Sequence, residues 1–457
     1  MKSTVTEAPY RTLILNACLV NEGREWVADM LLENNRIARI APDLQSQPAD
    51  LLIDARGLHL FPGMIDDQVH FREPGLTHKG TIATESAAAV AGGITSFMEM
   101  PNVSPPTLDR QALAAKFAIA AQNAWGNYSF YLGASHDNLA EIQAVDRQNV
   151  CGVKVFMGAS TGDLLVDNPV ALEHIFRECP ILIATHCEDS RVIAANQARI
   201  QQQYGIALSA EFHPLIRDEA ACYASSSYAV ALAKRYRSQL HVLHLTTAKE
   251  LALFTALPLS QKDITAEVCV HHLRYSADDY ARLGNLLKCN PAVKSQADRA
   301  ALRAALRDGR LDMIATDHAP HTRTEKSAPY LQAPAGLPLV QHALLSLLEL
   351  VQQGELSLTQ LVEKTAHAPA QRFAIAERGF LREGYYADLV LVDLAQSTEV
   401  RQTDVLYHCQ WSPLVGETLP ARICSTFVNG ARRYHQGRLQ PLPAPWAQPQ
   451  PLRFLRD

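Results

Sequence analysis

The stretch Gly63–Asn102, GMIDDQVHFREPGLTHKGTIATESAAAVAGGITSFMEMPN, decides the fold. Met64–Val69 reads as a short strand that ends in polar residues. Thr81–Val90 is an Ala-rich helix stopped by Gly92-Gly93. Ile94–Met98 is the next strand, so the segment is one strand–helix unit followed by the start of another. The pattern continues outward through Tyr128–Leu132, Val153–Met157, Ile181–Thr185, His241–Leu245, Ile264–Val270 and Met313–Thr316, which makes eight strands. Their polar ends run from His70 to Asp317 with a mean period of about 35 residues, matching a barrel that spends ~250 residues on eight units. The interval from His186 to His244 is long and carries an insertion around residues 197–227. An open doubly wound sheet shares this alternation.

The flanks differ in character. Thr12–Val20, Trp26–Leu32, Arg36–Ile40, Leu51–Ile53 and Leu58–Phe61 are β-type runs up to Pro62-Gly63. Ala387–Val392 and Ile423–Val428 repeat that character, and Asn429-Gly430 is a hairpin signal. The two ends are expected to pair into one small β-domain, with residues 1–62 and 373–457 flanking a central unit of residues 63–372. The expected fold is α/β: a (β/α)8 TIM-type barrel with a small β-sandwich formed from both termini.

The chain has 457 residues, 47% of them hydrophobic and 19% charged, enough for a large core and unlike a disordered chain. With 42 basic and 47 acidic side chains the formal charge is −5, and no basic block marks a nucleic-acid surface. The nine cysteines are scattered without a C-x-x-C pair, as reduced buried thiols are. The opening MKSTVTEAPYRTLILNACLV lacks a signal-peptide pattern, and no run reaches the ~18 apolar residues of a membrane span. A soluble cytoplasmic protein without nucleic-acid or membrane partners is expected.

In a barrel enzyme the chemistry sits where strands end. Here those ends carry His70, Asn102, Lys154, His186, His244, Asp317 and His321. Each has a bland role by itself: a loop hydrogen bond for a histidine, an ion pair for Lys154, a helix cap for Asp317. Together, imidazoles, a carboxylate and a strand-borne lysine on one rim form the donor set of a catalytic zinc site with an open position. A lysine joins such a set when burial makes it neutral, because a neutral amine reacts with carbon dioxide to give an anionic carbamate.

The strings HFREPG, MPN, KVFMG, HVLHLTT, ATDHAPH and REGYYADLVLVD resemble those of cyclic amidohydrolases, and among them the dihydroorotase class that is similar to hydantoinases and allantoinases. The resemblance spans residues 10–437. It implies that His70, Lys154 (as carbamate), His186, His244 and Asp317 hold one or two zinc ions, and that Asp317 shuttles the proton. It further implies that Arg72, Asn102 and His321 hold a substrate carboxylate, with Asn290 (in KCNPAVK) and the Ala335-Gly336 backbone as additional contacts. A dimer or tetramer is also implied.

One position departs from the pattern: Gln68 stands where the family has the first histidine of His-x-His. Residues 68 and 70 share a face, and an amide oxygen is a weaker zinc donor than imidazole, so either ligation or a supporting hydrogen bond is open to Gln68. The implied activity is reversible opening of dihydroorotate to N-carbamoyl-aspartate by metal-activated water. Arg72 favours that substrate, because a guanidinium grips a carboxylate bidentately. An Arg72 paired with Glu73 is the alternative. Two other functions remain open: another cyclic amidohydrolase such as a hydantoinase or allantoinase, and a non-catalytic chain that serves aspartate transcarbamoylase as scaffold.

Overall fold

Strand Met64–Val69 is buried along its whole length although its sequence is MIDDQV, so its polar side chains need partners inside the protein. The computed structural model describes residues 9–158 and 164–456. Residues 1–8 and Asp457 of the expected flanking segments, and with them the start of the stretch read for a leader, lie outside the described residues.

The barrel strands occur where the sequence places them, in parallel pairs. Met64–Val69, Ile94–Glu99 and Asn127–Phe130 form one arc. Leu132–Gly133, Val153–Phe156, Ile183–His186, Leu240–Val242, Ile264–Cys269 and Met313–Ala315 form the other. The expected third strand is split at Tyr131, whose hydroxyl donates to the Asp67 carbonyl at 3.0 Å across the barrel interior. Backbone bonds from Tyr131 N to Glu99 O (3.0 Å) and from Leu132 N to Gly152 O (3.1 Å) join the arcs at this break. At the other seam Val69 bridges His318 in parallel, and His70 N donates to His318 O at 2.7 Å. The ring is closed, which excludes the open sheet.

The helix Ile82–Ala91 starts at Thr81, whose side chain accepts from Thr84 N in a capping box. It ends at Gly92, where a Cβ would meet the Val340 carbonyl at 2.2 Å, so only glycine lets the chain turn this close to its neighbour. The insertion after His186 consists of two helices, Ser190–Tyr204 and Glu219–Tyr236, with short helical turns between them. Beneath the strand ends the barrel is filled by apolar side chains, among them Ile65, Met98, Tyr131, Leu243, Met313 and Phe373. All nine cysteines are unpaired. Among the described residues no helix is long and apolar enough to cross a membrane.

Both ends of the chain meet in one mixed sheet. His59–Pro62 pairs in parallel with Arg11–Asn21 and antiparallel with Leu389–Asp393, which pairs in turn with Arg422–Val428. The protein is therefore an α/β barrel with a small β-sandwich made from both termini. A buried polar knot fastens the two parts. Asp388 is ion-paired with Arg378 and accepts from Asn429 N at 2.8 Å and from Asn127 Nδ2 at 3.2 Å, while its carbonyl accepts from Gly63 N at 2.8 Å. Arg378 and Asp388 are only 3% and 5% exposed, so removing either partner strands a charge in the interior. Asp388→Ala is expected to lower the unfolding free energy by about 3–5 kcal/mol, read as a shift of the urea midpoint.

Candidate active site

Barrel closure brings the first and last strand ends together. His70 and Asn102 face each other, with the ring Nδ1 2.7 Å from Asn102 Oδ1. That oxygen can only accept, so Nδ1 carries a hydrogen and Nε2 is the nitrogen turned to Asp317 Oδ1, 3.1 Å away. A proton or a cation between the two reconciles them at this distance. Gln68 Nε2 donates to the same Asp317 oxygen at 3.2 Å, which leaves Gln68 Oε1 directed at the Cys269 thiol. The side chain at position 68 therefore supports Asp317 through its amide nitrogen.

His186 and His244 form a second pair, with Nδ1 and Nε2 3.0 Å apart and the rings edge to face. Glu188, held by Arg217, lies 3.0 Å from His186 Nε2. The backbone N–H of His244 donates to Glu267 Oε1 at 3.2 Å. Lys154 is 1% exposed, and its Nζ makes no hydrogen bond or ion pair with any described residue. The expected bland role, an ammonium paired with a carboxylate, does not occur among the described residues. Burial lowers the Lys154 amine to about 8, against the opposing pull of Asp317 and Glu267.

Burial also lowers His70, His186 and His244 below the usual imidazole value. For Asp317 burial alone acts upward, but the bond and charge of His70, with His271 and Lys154 behind it, hold the carboxyl below its usual value. The cluster thus consists of imidazoles whose protonation burial disfavours, a carboxylate held toward its ionised form and an amine poised to lose its proton. That donor chemistry suits a divalent cation of the zinc class.

The opposite wall is built for an anion. Arg72 is 3% exposed and lies in the left-handed backbone region at φ 71°, a costly conformation for a bulky residue. Its Nε donates to the Pro320 carbonyl at 3.1 Å, and Glu73 accepts from Ile82 N instead of pairing with Arg72. The Arg72 NH2 lies 3.0 Å from His321 Nε2. Lys79 Nζ is 3.1 Å from His321 Nδ1, and the Ala335 carbonyl is 3.0 Å from His321 Nε2. An ammonium can only donate and a carbonyl can only accept, so Nε2 carries the hydrogen. The His321 Nε2–H is thereby taken by the Ala335 carbonyl, and the Arg72 guanidinium is the donor that faces the cavity.

Ten of the eleven expected residues line one cavity: His70, Arg72, Asn102, Lys154, His186, His244, Asn290, Asp317, Ala335 and Gly336. The eleventh, His321, stands behind Arg72. Gly336 has φ +134°, and a Cβ there would meet the Ala319 carbonyl at 2.5 Å. Buried Lys326 donates to the carbonyls of Lys288, Pro334 and Gly336 at 2.8–3.0 Å. These bonds tie the polar 320–335 loop down beside Asn290. Lys79, Lys326, Phe156 and Ala319 were not expected from the sequence; the two lysines lie outside the strand ends and carry no motif. Below the cavity His241 sits between Glu267 (3.1 Å) and Asp67 (3.4 Å). Burial acts downward on His241, but the two carboxylates raise it to about 9. A roomier groove of about 230 Å³ beside Arg274 is lined by arginines, of which Arg274 is already ion-paired with Glu349 and Glu417.

The model of the amidohydrolase family matches residues 59–432. A dihydroorotase from Halobacterium salinarum is 33% identical over 407 residues, covering 88% of this chain and 92% of its own. An allantoinase from Solibacter usitatus is 31% identical over 432 residues, covering 92% and 93%. Among solved structures, the L-hydantoinase (dihydropyrimidinase) from Arthrobacter aurescens superposes with a TM-score of 0.89 at 27% identity, covering 94% of this chain and 97% of its own. This chain belongs to the amidohydrolase family.

Proposed function

We propose that the protein is a dihydroorotase, a hydrolase that reversibly opens the cyclic amide of L-dihydroorotate to N-carbamoyl-L-aspartate. The observation that carries this reading is the buried Arg72 guanidinium, which lines the same cavity as Asp317 and has no carboxylate partner among the described residues. Dihydroorotate offers a carboxylate to such a group, whereas an unsubstituted hydantoin ring does not.

In this reading Arg72, with His321 packed behind it, grips the carboxylate, with Asn102 and Asn290 and the Ala335-Gly336 backbone positioning the ring. Asp317, ionised and steadied by Gln68, accepts a proton from the attacking water and returns it to the departing ring nitrogen. His70, Lys154 as its carbamate, His186, His244 and Asp317 are the residues that would hold one or two zinc ions, and a bound ion there acidifies water and polarises the amide carbonyl. The family is generally metal-dependent. We assign the β-sandwich to residues 1–62 and 373–457 and the barrel to residues 63–372. We place the enzyme in the cytoplasm as a homo-oligomer acting on small molecules.

The purified protein is expected to hydrolyse L-dihydroorotate, to lose turnover on chelation and to regain it with zinc and bicarbonate. Turnover of allantoin or hydantoin alone identifies a different ring specificity, and no turnover of any ring after metal restoration favours the scaffold role. Asp317→Asn is expected to lower kcat by roughly 10²–10⁴-fold; near-normal turnover refutes the proton shuttle. Arg72→Gln removes a charge-assisted contact worth about 1.5–3 kcal/mol, so kcat/KM for dihydroorotate falls roughly 10- to 150-fold. Activity on a ring without a carboxylate should not share that loss.

A further inference from the structure

The strand Ile264–Cys269 runs directly into the short helix Val270–Arg274. At this corner Cys269 Sγ, a ring nitrogen of His271 and one of His272 lie within 4.8 Å of one another. None of the three lines the catalytic cavity. Cys269 and His271 are 0% exposed and His272 is 2% exposed.

Neither nitrogen of His271 nor Nδ1 of His272 has a hydrogen-bond partner among the described residues. The Thr316 carbonyl faces the His271 ring without closing a well-formed bond. Leaving such a group buried and unsatisfied costs about 1–3 kcal/mol, so several at one spot need an explanation. His272 supplies one. Its Nε2 is 3.1 Å from the Pro291 carbonyl, an acceptor only, so Nε2 carries the hydrogen and Nδ1, without a hydrogen-bond partner among the described residues, keeps a bare lone pair. A carbonyl that fixes the tautomer in this way is the usual support behind a metal-binding histidine.

We propose that Cys269, His271 and His272 form a metal site for a zinc-class divalent ion, separate from the one assigned around Lys154. A thiolate and two imidazoles are the donors such an ion prefers. Tetrahedral zinc holds sulfur and nitrogen donors about 3.3–3.6 Å apart, so side-chain rotation closes the 4.8 Å cluster around it. The Gln68 carbonyl oxygen, 3.8 Å from Cys269 Sγ, stands beside the fourth position. Through the Pro291 carbonyl the site also steadies the segment that carries Asn290.

Cobalt(II) distinguishes this site from the catalytic set, which contains no sulfur. The metal-free full-length protein is titrated with cobalt and followed for the near-ultraviolet sulfur-to-cobalt charge-transfer band. A second sulfur-bearing group, Cys18 with Glu25 and His59, lies at the surface of the sandwich, so Cys18→Ser serves as control. The band should be lost in Cys269→Ser and retained in both Cys18→Ser and Lys154→Ala. His272→Gln, which keeps the thiol, should weaken cobalt binding at least about tenfold. Absence of the band in the unaltered protein, its survival in Cys269→Ser or its loss in Cys18→Ser overturns the proposal. Where circular dichroism shows that Cys269→Ser does not fold, an unchanged band position and affinity in His272→Gln overturns it.

Discussion

The seam between the first and last barrel strands is the constraint on which the site depends. Asp66 places both carboxylate oxygens on Thr316, accepting from its backbone N–H at 3.1 Å and from its hydroxyl at 2.6 Å. Burial raises the Asp66 carboxyl to about 7 against those bonds, so the seam is held by a group that is itself costly to bury. Together with the His70–His318 backbone bond it brings a histidine and an aspartate 247 residues apart in sequence to 3.1 Å. Without that closure Asp317 has neither His70 nor Gln68 beside it, and the cavity has no floor.

Burial then sets the protonation pattern. Burial disfavours charge on the imidazoles and pushes the lysine toward its amine, while Asp317 is held below its usual value, against burial, by the groups that converge on it, His70 foremost. The backbone contributes as well. Arg72, His244 and Asp317 all have φ between 40° and 71°, and each lies just past a strand end. The left-handed turn stops the strand and redirects its side chain over the mouth of the barrel. Strain of this kind persists only where the surroundings over-determine it: Pro320 holds Arg72, Glu267 holds the His244 N–H, and Gln68 holds the Asp317 carboxylate.

The strands and their polar ends were legible because parallel barrel strands are buried on both faces and read as apolar runs, so each polar residue in them stands out. The same logic found Lys154, flanked by Val153 and Val155. It failed at Tyr131, where a single residue turned inward breaks a strand without a proline or glycine to mark it. It also missed Lys79 and Lys326, whose importance comes from where their long side chains end, a property without sequence period. The corner at Cys269, His271 and His272 was visible as letters, but its meaning lies in nitrogens without partners, which only packing reveals.

The character of the buried charges bears on whether the chain catalyses or only supports. Neither Arg72 nor Lys154 is ion-paired with a carboxylate among the described residues, although both are nearly sealed from water; Lys154 has only the face of the Phe156 ring, 4.6 Å from its Nζ. Burying an unpaired cation costs several kcal/mol, and apolar side chains of similar volume would stabilise the same barrel better. The one bond from Arg72 to the Pro320 carbonyl and the contact of Lys154 with the Phe156 ring do not neutralise these charges. A scaffold has no reason to retain them, whereas in the proposed enzyme an anionic substrate at Arg72 and an anionic carbamate on Lys154 would each remove the unpaired charge. Gln68 fits the same account: it gives up an imidazole but donates to Asp317, so the carboxylate proposed to move the proton stays aimed.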